Sequence, residues 1–207
     1  MQSNKINSYV NKKLKEISRN NQLRKIHDVQ RKPKNEITIN GKNTISFSCN
    51  DYLGLSLNRS VIKAAEIATK KFGVGAGASR LVTGNNYLYS LLENKIKKLK
   101  KTSACCVFGS GFLANIGVIS SLMNKKDLIL IDELSHASTF LGSKLSGALV
   151  IQFKHNNVED LEKQLYKFRN KYNKCLILTE GVFSMDGDIS PQDDISVLKK
   201  NIQLLLC

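Results

Sequence analysis

This sequence has no run of 18 or more apolar residues, which excludes a transmembrane helix. Its start, MQSNKINSYVNKKLKEI, lacks the apolar core of a secretory signal. Residues 1–34 are basic and nearly free of acids, as in a transit peptide, but they use Lys and Asn rather than Arg and Ser. There is no CxxC pair, and the five cysteines, Cys49, Cys105, Cys106, Cys175 and Cys207, are odd in number. All lie in or at the end of apolar runs, where free Cys acts as a small hydrophobe. That argues against a disulfide framework and a zinc site, so a reducing, cytoplasmic setting is expected. Internal repeats and low-complexity tracts are also missing.

Acids are scarce: 17 stand against 32 basic residues, for a net charge of +15. Such a field suits a polyanion, and one class it leaves open is a nucleic-acid-binding protein. Only six of the 32 basic residues are Arg, however, and bidentate base reading favours Arg. The bias therefore reads as compositional drift. A CoA-like or phosphorylated substrate would benefit from the same field.

Residues 4–28 read as a basic helix, with Ile6, Val10, Leu14 and Ile17 at helical spacing. Residues 29–43 read as loop and turn, and TISFSC (44–49) alternates like a strand. Asn58 is placed to cap a helix over 59–72, closed by Gly73. A glycine-rich loop, 73–85, leads to an amphipathic helix marked by Leu88, Leu91, Leu92, Ile96 and Leu99. Strands are then expected at 103–108, 127–132, 148–153, 174–181 and from 201. Helices are expected at 111–123, 137–145, 158–172 (capped by Asn157) and 192–200. Short continuous apolar strands alternating with helices predict an α/β fold: a mostly parallel sheet flanked by helices on both faces.

Four segments carry polar chemistry. Gly73, Gly75 and Gly77 miss the dinucleotide fingerprint, since residue 78 is Ala and the loop follows a helix; they still imply positive φ angles. FGSGFLAN (108–115) runs from strand to helix, a helix start that offers N–H groups to a phosphate, with Ser110 a further donor. DELSHAS (132–138) puts Asp132 and His136 after a strand; of the three histidines, His136 alone is expected at a strand's carboxyl end. No second His or Cys gives it metal-ligand spacing. TEGVFSMDGD (179–188) crowds Glu180, Ser184, Asp186 and Asp188 around Gly181 and Gly187. Polar, glycine-punctuated segments at several strand ends of one sheet favour a shared phosphate-bearing ligand.

In order, NDYLGL (50–55), GAGASRLVTGN (75–85), SGFLAN (110–115), DELSHAS (132–138), HNNVEDLE (155–162) and TEGVFSMDGD (179–188) resemble the α-oxoamine synthases. These are pyridoxal-phosphate (PLP) enzymes of the aspartate-aminotransferase fold type, fold type I. The resemblance spans roughly residues 4–206. It implies an N-terminal helix and arm over 1–43 and a PLP-binding large domain over 44–207. It further implies that the backbone of Gly111 and Phe112 binds the PLP phosphate, and that His136 stacks over the pyridine ring as a catalytic residue. Ser184 would bond near the phenolic oxygen, while Arg24 and Asn50 would contact substrate. The family joins an amino acid to an acyl thioester with loss of CO2, as a homodimer and without a membrane. The spelling of residues 75–85 and 179–188 is nearest to the branch that uses L-alanine and a pimeloyl thioester in biotin synthesis, rather than the 5-aminolevulinate or ketobutyrate–glycine branches.

The family also requires a DDAHG segment and, further on, a Thr and a Schiff-base Lys; this sequence has no DDAHG, and none of its 26 lysines lies in a matching motif. The resemblance thus implies an incomplete, truncated large domain. It leaves as expectations a chain inactive alone and, otherwise, one half of a split enzyme.

Overall fold

The computed structural model describes residues 2–202 and 205–206. The chain forms two compact units, Met1–Gly77 and Ala78–Cys207, which part inside the glycine-rich loop.

In the first unit, α1 (Gln2–Arg19) ends well before residue 28. The stop is local. Asn21 takes a left-handed φ of 55°, Asn21 N–H bonds Ser18 O at 3.1 Å, and Gln22 N–H bonds Ile17 O at 3.0 Å. That pair of bonds closes a helix around an Asn, which tolerates this φ better than most residues. The segment read as loop, 29–43, is instead an antiparallel meander of β1 (Val29–Arg31), β2 (Glu36–Ile39) and β3 (Lys42–Ile45). The missed signal is Asn40-Gly41. With φ of 51° and 75° these residues make a two-residue hairpin turn that pairs Ile39 with Lys42. The strand expected at 44–49 therefore starts earlier and ends at Ile45. α2 (Arg59–Phe72) matches its expected span; Asn58 Oδ1 accepts from Ser60 and Val61 N–H at 2.9 and 3.4 Å. Gly73, Gly75 and Gly77 all have positive φ, as expected.

The second unit opens with α3 (Tyr87–Lys100), capped by Asn86. Residues 103–108 join no sheet among the described residues, contrary to expectation. Side chains take the backbone groups that a neighbouring strand would bond. Val107 O accepts from Arg80 Nη1 at 3.0 Å, and Val107 N–H donates to Glu93 Oε1 at 2.9 Å. Arg80 and Glu93 also pair with each other at 2.9 Å. Each raises the other's preference for charge: Glu93 holds the Arg80 pKa up, and Arg80 holds that of Glu93 down.

The remaining elements are α4 (Gly111–Leu122), β4 (Leu128–Asp132), α5 (Ala137–Ser146), β5 (Leu149–Phe153) and α6 (Val158–Phe168) with a 3₁₀ turn to Lys171. Then come β6 (Cys175–Leu178), α7 (Gln192–Ile202) and β7 (Leu205–Leu206). Asn201 and Ile202, expected in the last strand, extend α7 instead; residues 203, 204 and 207 of that strand lie outside the described residues. The four strands are parallel in the order β5-β4-β6-β7. This is the α/β parallel architecture the sequence predicts.

Every residue of β4 and β6 is buried. Side chains alternate between faces, as strand geometry demands. Leu128, Leu130, Cys175 and Ile177 pack with Leu161 and Leu165 of α6 and Ile195 of α7. Ile129, Ile131, Leu176 and Leu178 pack with Ile119 of α4, Met123 beyond it, and Phe140 of α5. α4 and α5 lie close because Gly142 has no side chain: a Cβ there would sit 3.0 Å from Asn115 O. Burial pushes the Cys175 thiol pKa up to about 12, so it serves as an inert hydrophobe. Among the described residues no helix is long and apolar enough to cross a membrane.

Candidate active site

The strand order reverses at β4: β5 lies on one side of it and β6 on the other. Such a switch point leaves a crevice at the carboxyl ends of the strands, because the flanking connections part there. A cleft of about 510 Å³ opens at this place. Gly111 and Phe112 from the start of α4, His136 and Ser138 from the start of α5, and Thr179 and Glu180 beyond β6 line it.

The sequence-predicted residues divide accordingly. Gly111, Phe112 and His136 share the cleft. Ser184 lies outside this lining, exposed on the turn after β6. Arg24 and Asn50 belong to the first unit, where both are exposed; Asn50 immediately precedes Asp51. The Asp51 carboxylate is held below its usual pKa, chiefly by the Ser56 hydroxyl.

Gly111 and Phe112 occupy the first turn of α4, where N–H groups have no acceptor within the helix. Ser110 caps that turn: its Oγ accepts from Leu113 N–H at 3.2 Å. The hydroxyl expected as a donor thus accepts at the helix start and keeps its own proton to donate. An ideal Cβ at Gly111 would meet nothing within 4 Å, so the space before this turn is open.

The His136 ring is held by a short relay. Asn115 Nδ2 donates to Ser138 Oγ at 2.8 Å, and Ser138 Oγ stands 2.7 Å from His136 Nδ1. Ser138 N–H donates to the same Nδ1 at 3.1 Å. Two donors at Nδ1 make it the acceptor and assign the ring proton to Nε2. The Glu180 carboxylate accepts the backbone N–H of His136, which ties the loop after β4 to the loop after β6. Sequence reasoning missed Asn115 and Ser138 because a small polar residue on a helix carries no chemical signature until its neighbour is known.

Thr179 Oγ1 is buried and has no hydrogen-bond partner. A buried hydroxyl without a partner costs free energy, so a ligand group that bonds it would be favoured. An N-terminal helix turn, a flat imidazole and an orphaned hydroxyl around one cleft fit a phosphorylated aromatic ring. No group of three or more metal-ligating side chains is found among the described residues.

Comparison with known proteins matches this geometry to a class. The model of the aminotransferase class I and II family covers residues 42–206, and the chain belongs to that family. Its relatives within it are α-oxoamine synthases. The 8-amino-7-oxononanoate synthase of Methylocella silvestris is 51% identical over 76% of this chain and 45% of its own length. That of Beijerinckia indica is 45% identical over 91% of this chain and 49% of its own length. A serine palmitoyltransferase from S. paucimobilis, solved with bound PLP–myriocin aldimine, superposes with a TM-score of 0.85. It is 30% identical and is matched over 95% of this chain and 50% of its own. The cofactor of these enzymes is pyridoxal 5'-phosphate, as the resemblance implied. The chain spans about half the length of the curated relatives it matches.

Proposed function

We propose that this chain forms the phosphate-binding and ring-covering part of a PLP-dependent acyltransferase site of the 8-amino-7-oxononanoate synthase type. The reaction joins L-alanine to a pimeloyl thioester with loss of CO2. The observation that carries this reading is the joint placement of Gly111, Phe112 and His136 around the cleft at the sheet's switch point. The Gly111 and Phe112 N–H groups bind the phosphate, aided by the positive end of α4. His136 lies over the ring, and its Nε2 proton is available to a substrate oxygen. Ser184 bonds the phenolic edge, and Arg24 and Asn50 contact substrate. Bound PLP would act as the electron sink that stabilises negative charge at the amino acid's α-carbon.

No lysine lines the cleft among the described residues, so this part of the site offers no amine to hold the cofactor covalently. Borohydride treatment with PLP is expected to fix no pyridoxyl group at a unique lysine. The direct test is PLP affinity of the whole chain by equilibrium dialysis. Gly111→Val fills the open space before α4 without a clash in the fold, and is expected to weaken PLP by roughly tenfold or more. Equal affinity of the two proteins would overturn the phosphate assignment.

A second reading is that another polypeptide completes the site, as in a split enzyme or a homodimer. It is supported by the apolar stripe of α3, where Leu88 is 40% and Leu99 77% exposed, and by the unpaired segment 103–108. Co-expression with the second half of a relative, followed by gel filtration, tests it. Failure of the two to co-elute would reject it.

A further inference from the structure

His155 lies outside the cleft lining, yet both of its ring nitrogens are bonded at the strand ends. It follows β5 by two residues, so His136 is not alone at a strand's carboxyl end. Its Nδ1 is 2.9 Å from Asp132 Oδ1, and its Nε2 is 2.7 Å from Asp188 Oδ2. A neutral imidazole has one acceptor nitrogen, which would point a lone pair at a carboxylate. Only the imidazolium donates at both positions.

The surroundings fix these partners. Asp132 ends β4 and is fully buried; its carboxylate also accepts from Leu134 and Asn156 N–H, each at 2.9 Å. Asp188 accepts from Asn156 Nδ2 at 2.8 Å, and Asn156 holds a left-handed φ of 51°. Glu133 takes the backbone N–H of His155 at 2.9 Å. The buried Phe183 ring packs perpendicular to the imidazole, with centroids 4.4 Å apart. Among the described ion pairs neither Asp132 nor Asp188 has a Lys or Arg partner, so the imidazolium is their counter-ion.

Each aspartate lies in a segment with a cofactor-facing role in the reading above, and its backbone carbonyl helps close that segment's turn. Leu134 N–H bonds the Asp132 carboxylate and Ser135 N–H the Asp132 backbone carbonyl, turning the chain toward His136. Phe183 N–H bonds to Asp188 O at 2.9 Å, and Gly187 N–H to Phe183 O at 2.8 Å, closing the turn that carries Ser184. We propose that His155, as an imidazolium bridging Asp132 and Asp188, is a positioning residue that holds the His136 segment and the Ser184 turn in fixed register. The roles of His136 and Ser184 rest on the PLP reading; the bridge itself does not.

The charge states agree. The His155 pKa is raised, chiefly by its bond to Asp132, and that of Asp188 is lowered, chiefly by its bond from His155. A raised histidine pKa gives stabilisation that is present at low pH and lost as pH rises through the raised value. A lowered carboxylate pKa gives stabilisation lost as pH falls through the lowered value. The bridge is therefore intact between these limits and opens on either side.

The test is ring-nitrogen NMR of the whole ¹⁵N-labelled chain, which has three histidines to assign. His155 is expected to titrate above the ordinary histidine value of about 6.5, with protons on both ring nitrogens below its titration point. Asp188→Asn should lower that titration point and speed amide exchange at Phe183 and Gly187 by roughly tenfold. The wild-type titration needs no variant, so a misfolded mutant does not block the test. A His155 ring that titrates at or below the ordinary value would overturn the bridge. PLP affinity measured against pH is the second arm. It should fall as pH rises through the His155 titration, and Asp188→Asn should move that fall to lower pH. Affinity that ignores the His155 titration would overturn the positioning role. A bridge that titrates as expected in a chain that binds no PLP would overturn the cofactor reading and leave the bridge standing.

Discussion

Residues 5–77 and residues 111–198 are both built from short strands and amphipathic helices, yet they treat their apolar side chains differently. No residue between 5 and 77 is buried, and Ile26, Phe47, Tyr52 and Leu53 are 81–100% exposed. In the later region the four apolar residues of β4, Leu128 to Ile131, are all 0% exposed. The front region is organised by local devices: the Asn21 helix stop, the Asn40-Gly41 turn and the Asn58 cap. Each satisfies backbone groups within a few residues and needs no core. The sheet region joins residues that are remote in sequence, such as Leu130 and Ile177, which are partners in the β4–β6 register. Local rules can thus form an element without burying it; burial requires a second surface.

The largest expected contrast comes from core truncation. Leu130→Ala should cost about 2–5 kcal/mol in urea unfolding, because it leaves a cavity between two packed layers. Leu53→Ala should change stability by no more than roughly 0.5 kcal/mol. Equal effects would erase the difference between the regions. Next in size is Gly142→Val, which forces α4 from α5 and should cost about 1–3 kcal/mol by the same measurement. A neutral result would mean that the helix contact is looser than its geometry. Smallest are the caps. Asn157→Ala, which removes the acceptor for Asp160 N–H, should cost about 1 kcal/mol of global stability. Asn58→Ala should lower helical content at α2, read by circular dichroism, with little shift in the main unfolding transition. A full shift in that transition would show that α2 unfolds together with the sheet.

The sequence made much of the sheet region legible. Continuous apolar runs at 128–131 and 175–178 can be satisfied only by burial on both faces, and the structure buries them so. Asn58, Asn157 and Gly73 marked helix ends because capping is chemistry between near neighbours. The meander at 29–43 was also open to a local reading, since Asn-Gly is a hairpin dipeptide; its polar strands concealed it. The segment 103–108 was not legible: its apolar pattern fits a strand, and only the approach of Arg80 and Glu93 gives Val107 other partners.

The site divides along the same line. Gly111 and Phe112 could be named from the start of α4, and His136 from the end of β4, because both spacings are set by the chain itself. The Asn115–Ser138–His136 relay and the Asp132–His155–Asp188 bridge could not. Their members lie 23 and 33 residues apart, and hydrogen bonds of this kind act only within about 3 Å. By itself, the sequence determined the family, the parallel α/β class and three of the groups that face the cleft, Gly111, Phe112 and His136. Only the tertiary structure decided which nitrogen of His136 carries its proton and which histidine ties the strand ends together, because both depend on groups that meet only after the sheet has formed.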